Sequence, residues 1–217
     1  MSMLGSRVEI APGAVHVPGW LSVEEQRRLV AACRAWAAGP VPIRHTVLPR
    51  GGVMSVQTVC IGWHWQPYQY TRTADDVNGV RVAEFPGWMV QVGRRALVAA
   101  YGGHDGYTPD TALINFYDGA AKLGMHQDKD EKSDAPVVSL SIGDTCTFRF
   151  GNTHTRTKPY TDIQLASGDL FVFGGASRYA YHGVPKVHPG TADPAAGLAG
   201  GRLNITMRVT GLADAPL

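Results

Sequence analysis

Residues 111–131 read TALINFYDGAAKLGMHQDKDE, and this stretch decides the fold. Thr111 to Tyr117 is rich in β-branched and aromatic residues and closes at Asp118-Gly119, the composition of a strand ended by a turn. Beyond the turn, His126-Gln127-Asp128 sets an imidazole and a carboxylate two positions apart. Alternate residues of an extended chain share a face, so both side chains project the same way.

Working outward, more short strands of the same composition follow. Val137 to Ile142, Thr145 to Phe150, Asp162 to Leu165, Asp169 to Phe173 and Leu203 to Val209 are separated by Gly, Asp and Pro. Upstream, Met54 to Cys60 has the same character. So many short strands predict a mostly β chain with flanking α-helices, its core a double-stranded β-helix, or jelly roll. One helix is expected from the capping box Ser22-Val23-Glu24-Glu25, with Val23, Leu29, Val30, Cys33 and Ala37 on one face until Gly39-Pro40 stops it. A second is expected over Trp88 to Tyr101, ending at Gly102-Gly103. The Gly-, Ala- and Pro-rich segment His188 to Gly201 reads as an exposed loop.

A 2-His-1-carboxylate set holds one face of an octahedral iron and leaves the other for oxygen and a cosubstrate. His126 and Asp128 therefore need a second histidine, and His182, in Tyr181-His182-Gly183 between two β segments, is the leading candidate. His16, His45, His64, His104, His154 and His188 lack a carboxylate two residues downstream on a plausible strand, so surface or packing roles are their default. Neither HExxH nor the His-x-Glu…Pro-Cys-x-x-Cys pattern of a zinc deaminase occurs. On its own, a single HxD is also compatible with chance.

RLNITMR, residues 202–208, alternates polar and apolar, so Arg202, Asn204, Thr206 and Arg208 share one face while Leu203, Ile205 and Met207 enter the opposite layer. Two inward-facing guanidiniums are costly to bury unless a dianion answers them, and each offers a fork suited to a carboxylate. Asn115 and Tyr117 likewise share a face directly upstream of the HxD. The competing reading of this strand is a half-exposed one with a wet arginine face.

A chain of 217 residues with 44% hydrophobic content can fill one sizeable core, and a single domain is expected over 1–217. No apolar run approaches the length of a membrane span, and the N-terminus lacks a signal peptide's apolar stretch, so a soluble, cytoplasmic protein is expected. Cys33, Cys60 and Cys146 are odd in number and widely spaced, which suits a reducing compartment. A formal charge of +2 decides nothing about nucleic acid, since phosphate binding depends on where the cations cluster. Nothing resembles a coiled coil, and a monomer is expected.

Together LINFYDGAAKLGMHQDKDE, VVSLSIG, FRFG, GDLFVFGGASRYAYHGV and RLNITMR resemble, in order, the core motifs of the AlkB family of DNA-repair dioxygenases. The resemblance runs from about Met54 to Arg208. It implies iron(II) held by His126, Asp128 and His182. It implies 2-oxoglutarate held by Arg202 and Arg208 with Asn115, Tyr117 and Asn204, and oxygen as the second cosubstrate. It also implies oxidative demethylation of 1-methyladenine or 3-methylcytosine in single- or double-stranded DNA, with RNA as an extension. The resemblance divides the chain into an N-terminal helical support over 1–47, a nucleotide-recognition lid over 48–85, and a helix plus jelly-roll core over 86–217. In the lid, Met54, Trp63 and Tyr68 match substrate-binding positions, with Trp63 and the His126 ring sandwiching a flipped base, or Trp65 in place of Trp63. Asp130 and Glu131 match positions that face the base, and Arg156 a loop near the substrate; the bland alternative is a solvated turn in each case. Phe173 stands where the family can have tryptophan. Lys122, Lys129, Lys132, Arg149, Arg156, Lys158 and Arg178 are candidates to track a phosphate backbone.

Two other readings remain at this stage. One is a 2-oxoglutarate oxygenase of the same fold acting on RNA, a free nucleotide or a protein; burial of Trp63 and Tyr68 away from the iron would favour it. The other is a nonenzymatic jelly-roll module that binds an anion through Arg202 and Arg208.

Overall fold

The computed structural model describes residues 6–212, with strands and helices in the order β1 (Val8–Ala11), β2 (Ala14–Val17), α1 (Val23–Ala37), β3 (Arg44–Val47), β4 (Val53–Ile61), β5 (His64–Gln66), β6 (Gln69–Thr71), α2 (Gly87–Tyr101), β7 (Thr111–Tyr117), β8 (Leu123–His126), β9 (Val137–Gly143), β10 (Cys146–Phe150), β11 (Thr161–Leu165), β12 (Leu170–Phe173), β13 (His182–Val187) and β14 (Arg202–Arg208). A large sheet runs β1-β2-β12-β9-β14-β7-β4-β3, a four-stranded sheet β11-β10-β13-β8, and β5 pairs with β6 as a separate ribbon. This is the expected jelly roll, with helices on its flank.

Alternation along the strands sorts the apolar side chains into two layers. On one face of the large sheet Val138, Leu140, Ile142, Ile114, Leu203, Ile205 and Met207 join Leu29 and Val30 of α1 and Met89 and Leu97 of α2. On the other face Val137, Tyr117, Phe171 and Phe173 meet Phe148 and Phe150 of the small sheet. Each such side chain contributes about 1.5–3 kcal/mol by leaving water. The site therefore has a rigid floor, because β7 and β14 are gripped from both sides.

α1 begins as its capping box predicts. Ser22 Oγ accepts from the Glu25 backbone N–H, and Glu25 reaches back to the Ser22 amide. α2 starts without a side-chain cap and ends at Gly102, whose φ of +83° suits a residue with no Cβ.

Two expectations need correction. In the described part of the segment expected as a helical support, residues 6–47, α1 is joined by strands: β1 and β2 extend the large sheet by pairing β2 with β12, and β3 forms its other edge. The segment 188–201 is not a bare exposed loop. Ala196 is buried, and Arg27 and Arg34 of α1 donate to the carbonyls of Ala195 and Gly197. The small residues that suggested an exposed connector are what let it pack flat on a helix.

All three cysteines are free and buried. Burial pushes the Cys33 thiol up to about 12 and raises Cys146 as well. A raised thiol pKa means the unreactive neutral form persists at pH 8. The native protein is therefore expected to release little colour with Ellman's reagent at pH 8, and three equivalents once unfolded in guanidinium; prompt native reaction would contradict this packing. Among the described residues, no helix is long and apolar enough to cross a membrane.

Candidate active site

The HxD motif sits at the end of β8, and β8 pairs with β13 so that His126 lies directly opposite His182. Gly183 makes that approach possible. A Cβ there would stand 2.6 Å from the Leu123 carbonyl oxygen and 2.9 Å from the Gly124 carbonyl carbon, so only glycine lets the two strands close. The result is a group of ligand atoms from His126, Asp128 and His182 within 4.8 Å of one another.

Hydrogen bonds fix both rings for metal binding. His126 Nδ1 lies 2.9 Å from the Gly124 carbonyl and His182 Nδ1 3.0 Å from that of Ala180, so Nδ1 carries the proton and each Nε2 lone pair is left for a metal. The Nε2 atoms of His126 and His182 stand 3.6 and 3.8 Å from the two oxygens of Asp128. Burial, with His126 alongside, pushes His182 down to about 4, so its imidazole is neutral at pH 7. Burial alone would raise the Asp128 carboxyl, but Arg208, His182 and His126 together hold it well below the usual range. A neutral imidazole at His182 and an ionised carboxylate at Asp128 are donor states that a divalent metal requires. Phe173 and Phe148, with ring centroids 4.9 and 5.8 Å from that of His182, form a dry wall beside it.

The cavity beside these ligands is lined by Asn115, Tyr117, Arg202, Asn204, Thr206 and Arg208, so β7 and β14 deliver all the side chains that alternation predicted. Arg202 is 1% exposed, donates from Nη2 to Ser141 Oγ at 3.0 Å, and has no partner among the described residues for Nε or Nη1. Arg208 pairs with Asp128 Oδ2 at 2.6 Å, while its buried Nη1 has no partner among the described residues. Asn204 is braced by Ser139 and Thr206, and Asn115 accepts from Thr58. Burial raises the Tyr117 phenol, so it is a neutral donor.

Charge counting makes the same point. Among the described residues around the site, three buried guanidiniums, Arg178, Arg202 and Arg208, face two buried carboxylates, Asp128 and Glu131. One positive charge is left over, and a divalent metal would add two more. Buried charge is tolerated only when paired, so a dianion with carboxylate ends fits the orphaned N–H groups.

The lid residues are placed less uniformly. Met54 is half-buried against the inter-sheet core. Trp63 is 6% exposed, donates to Asp110 and is covered by Arg72 at 3.8 Å, so it offers no free face to a base. That corrects the first of the two expected sandwich partners. Trp65 instead is half-buried and donates to Asp130 Oδ2 at 2.8 Å, two residues past the metal ligand. Tyr68 is 71% exposed at a φ of +74°, so only one of the two rings is buried. Glu131 is also corrected. Its side chain is 2% exposed, and its oxygens are taken up by Tyr70, Arg178 and Arg208, leaving none for a base. Arg156 is exposed, over the ring of Tyr181 beside His182.

Of the candidate phosphate contacts, Arg178 is buried and holds the Asp128 and Ala135 carbonyls, and Arg149 is forked onto Asp162. Lys122, Lys129, Lys132 and Lys158 are exposed. Sequence reasoning passed over Ser139 and Ser141, which stand opposite Thr206 and Asn204 across β9 and β14. Their alternation in VVSLSIG was the available signal. Of the other histidines, His16 pairs with Asp169 and His64 with Asp76, both as buried packing groups.

Comparison with known proteins agrees with this geometry. The sequence model of the 2OG-Fe(II) oxygenase superfamily matches residues 13–208. The alpha-ketoglutarate-dependent dioxygenase AlkB of Escherichia coli is 39% identical over 184 residues, covering 80% of each chain. An AlkB homolog of Caulobacter vibrioides is 34% identical, covering 96% of this chain and 92% of its own. The DNA N(6)-methyladenine demethylase ALKBH1C of Arabidopsis thaliana is 33% identical over 92% of this chain, which spans 49% of that relative's length. The solved structure of OsALKBH1 superposes with a TM-score of 0.84 at 30% identity, covering 94% of this chain.

Proposed function

Because the chain belongs to the AlkB family within the 2OG-Fe(II) oxygenase superfamily, we propose that it is an iron(II)- and 2-oxoglutarate-dependent dioxygenase that demethylates alkylated bases in nucleic acid. The observation that carries the reading is the pair of buried, incompletely partnered guanidiniums in the same cavity as a His-Asp-His ligand set. His126, Asp128 and His182 would hold the iron. Arg208, which grips Asp128, and Arg202, with Tyr117, Asn115 and Asn204 lining the same cavity, would take the two carboxylate ends of 2-oxoglutarate. With iron, oxygen and 2-oxoglutarate bound, the site supplies oxidative decarboxylation and hydroxylation of an N-methyl group, from which formaldehyde leaves.

The chain's own residues orient and protect that chemistry. Phe148 and Phe173 exclude water from the His182 side. The half-exposed His126 ring and Trp65 are the pair we assign to hold a flipped base. Asp130, which already anchors Trp65, would face the exocyclic amino group, Met54 and Tyr68 would contact the nucleotide, and Arg156 would serve a phosphate. DNA, and by extension RNA, is the proposed substrate class, since the Arabidopsis relative ALKBH1C is named a DNA N(6)-methyladenine demethylase, and the cytoplasm is the proposed location.

Base stacking on an aromatic ring is worth about 1–3 kcal/mol. Trp65→Ala is therefore expected to raise KM for a 1-methyladenine oligonucleotide about 5- to 150-fold while leaving the Kd for 2-oxoglutarate unchanged. A smaller effect than that of Trp63→Phe would remove Trp65 from the substrate site.

A further inference from the structure

We propose that Glu131 is a positioning residue that couples the lid to the cosubstrate pocket, so that nucleotide under the lid and 2-oxoglutarate on Arg208 tighten each other's binding. The proposal rests on the assignment of Arg208 to 2-oxoglutarate made above.

The β5–β6 ribbon shares no strand pairing with either main sheet. Its polar ties to the ligand-bearing segment fall on two adjacent residues. Trp65 Nε1 donates to Asp130 Oδ2 at 2.8 Å, and Tyr70 Oη donates to Glu131 Oε1 at 2.6 Å. Tyr70 is buried in the cluster that packs the ribbon onto Cys60, Trp63 and Leu113, so its hydroxyl moves only when the ribbon moves.

Glu131 passes that position inward. The oxygen that accepts from Tyr70 also lies 3.3 Å from Arg208 Nε, and its other oxygen accepts from Arg178 Nη2 at 3.0 Å. Arg178 in turn donates to the carbonyl of Asp128 at 2.6 Å and to that of Ala135 at 2.8 Å, which pins the turn between them. Arg208, which lines the cavity, completes the chain by gripping Asp128 Oδ2, and its buried Nη1 has no hydrogen-bond partner among the described residues. One carboxylate thus stands between a lid hydroxyl and the guanidinium assigned to the cosubstrate, with all members buried. In such a network the loss of one partner is felt by the next, because no water replaces it.

Coupling of this kind is reciprocal. Whatever factor the nucleotide applies to 2-oxoglutarate, 2-oxoglutarate applies to the nucleotide. A factor of about 5–20 is expected, the lower part of the usual range of coupling between two sites.

The test uses the full chain loaded with Mn(II), which binds without turnover, and measures the Kd of 2-oxoglutarate by calorimetry with and without a saturating 1-methyladenine oligonucleotide. Wild type should bind 2-oxoglutarate about tenfold more tightly with the oligonucleotide. Tyr70→Phe, which deletes one oxygen and keeps the packing, should reduce that ratio below about twofold. Glu131→Gln should also collapse the ratio, giving a second route should one variant fold poorly. The ratio of two Kd values in one protein is the readout, because a merely structural role would not move it. A wild-type ratio near one, or a full ratio retained in both variants, overturns the proposal. Absence of any 2-oxoglutarate binding to the Mn(II)-loaded wild type overturns the assignment of Arg208 itself, a different signature.

Discussion

His182→Ala is expected to abolish demethylation and to weaken metal binding by more than about 100-fold, since removing even an outer partner of a metal ligand costs about 10–100-fold. His182 is 6% exposed, its Nδ1 is fixed on the Ala180 carbonyl, and its Nε2 faces Asp128. A water entering the vacated space would be a weaker donor held by nothing else on that side, where Phe148 and Phe173 form the wall. Titration with Co(II), followed by its visible absorption, measures the affinity directly, and a thermal melt of the metal-free variant separates lost ligation from lost folding. A variant that melts normally and binds Co(II) as wild type does would remove His182 from the ligand set.

Arg202→Met carries the second large effect, and it has two opposite signs. Truncating one partner of a buried, hydrogen-bonded charge pair costs about 2–5 kcal/mol, which is about 30-fold to a few thousand-fold in affinity. The Kd for 2-oxoglutarate should rise by that factor. The empty protein should not suffer. In it Arg202 is a buried cation with two unpartnered nitrogens, and replacing such a group by an apolar side chain of similar length removes a desolvation cost. The metal-free, ligand-free variant is therefore expected to melt at or above the wild-type temperature. Lower stability without lost affinity would assign Arg202 a purely structural part.

The halves of the fold were legible to different degrees, for physical reasons. β7 and β14 could be read nearly residue by residue because period-two alternation forces Asn115 and Tyr117, and Arg202 to Arg208 at every second position, onto the face that lines the cavity. The capping box placed α1 at Val23 for an equally local reason. β1 and β2 were missed because four-residue strands carry too little pattern to stand out, and what makes them strands is pairing with β12 far along the chain.

The lid failed in a more instructive way. Trp63 and Trp65 are two apart, so alternation gives both the same face and does not choose between them. The choice is made by tertiary contacts, Asp110 and Arg72 enclosing Trp63 while Asp130 takes the Trp65 indole. Glu131 and Arg178 look like surface charges in sequence, and only their pairing with each other and with Arg208 explains their burial. Lone charges have no periodicity, so their partners are visible only in three dimensions.

The central claim is that this cavity couples consumption of 2-oxoglutarate to removal of a methyl group from a nucleobase. Its most direct test is anaerobic reconstitution with iron(II) and 2-oxoglutarate, followed by air in the presence of an oligonucleotide carrying 1-methyladenine or 3-methylcytosine. Succinate and the unmethylated base are quantified in the same tube. Both are expected to appear in equal amounts and to vanish in His126→Ala. Succinate without demethylation would contradict the nucleobase assignment, and neither product from folded, iron-loaded protein would contradict the enzyme itself.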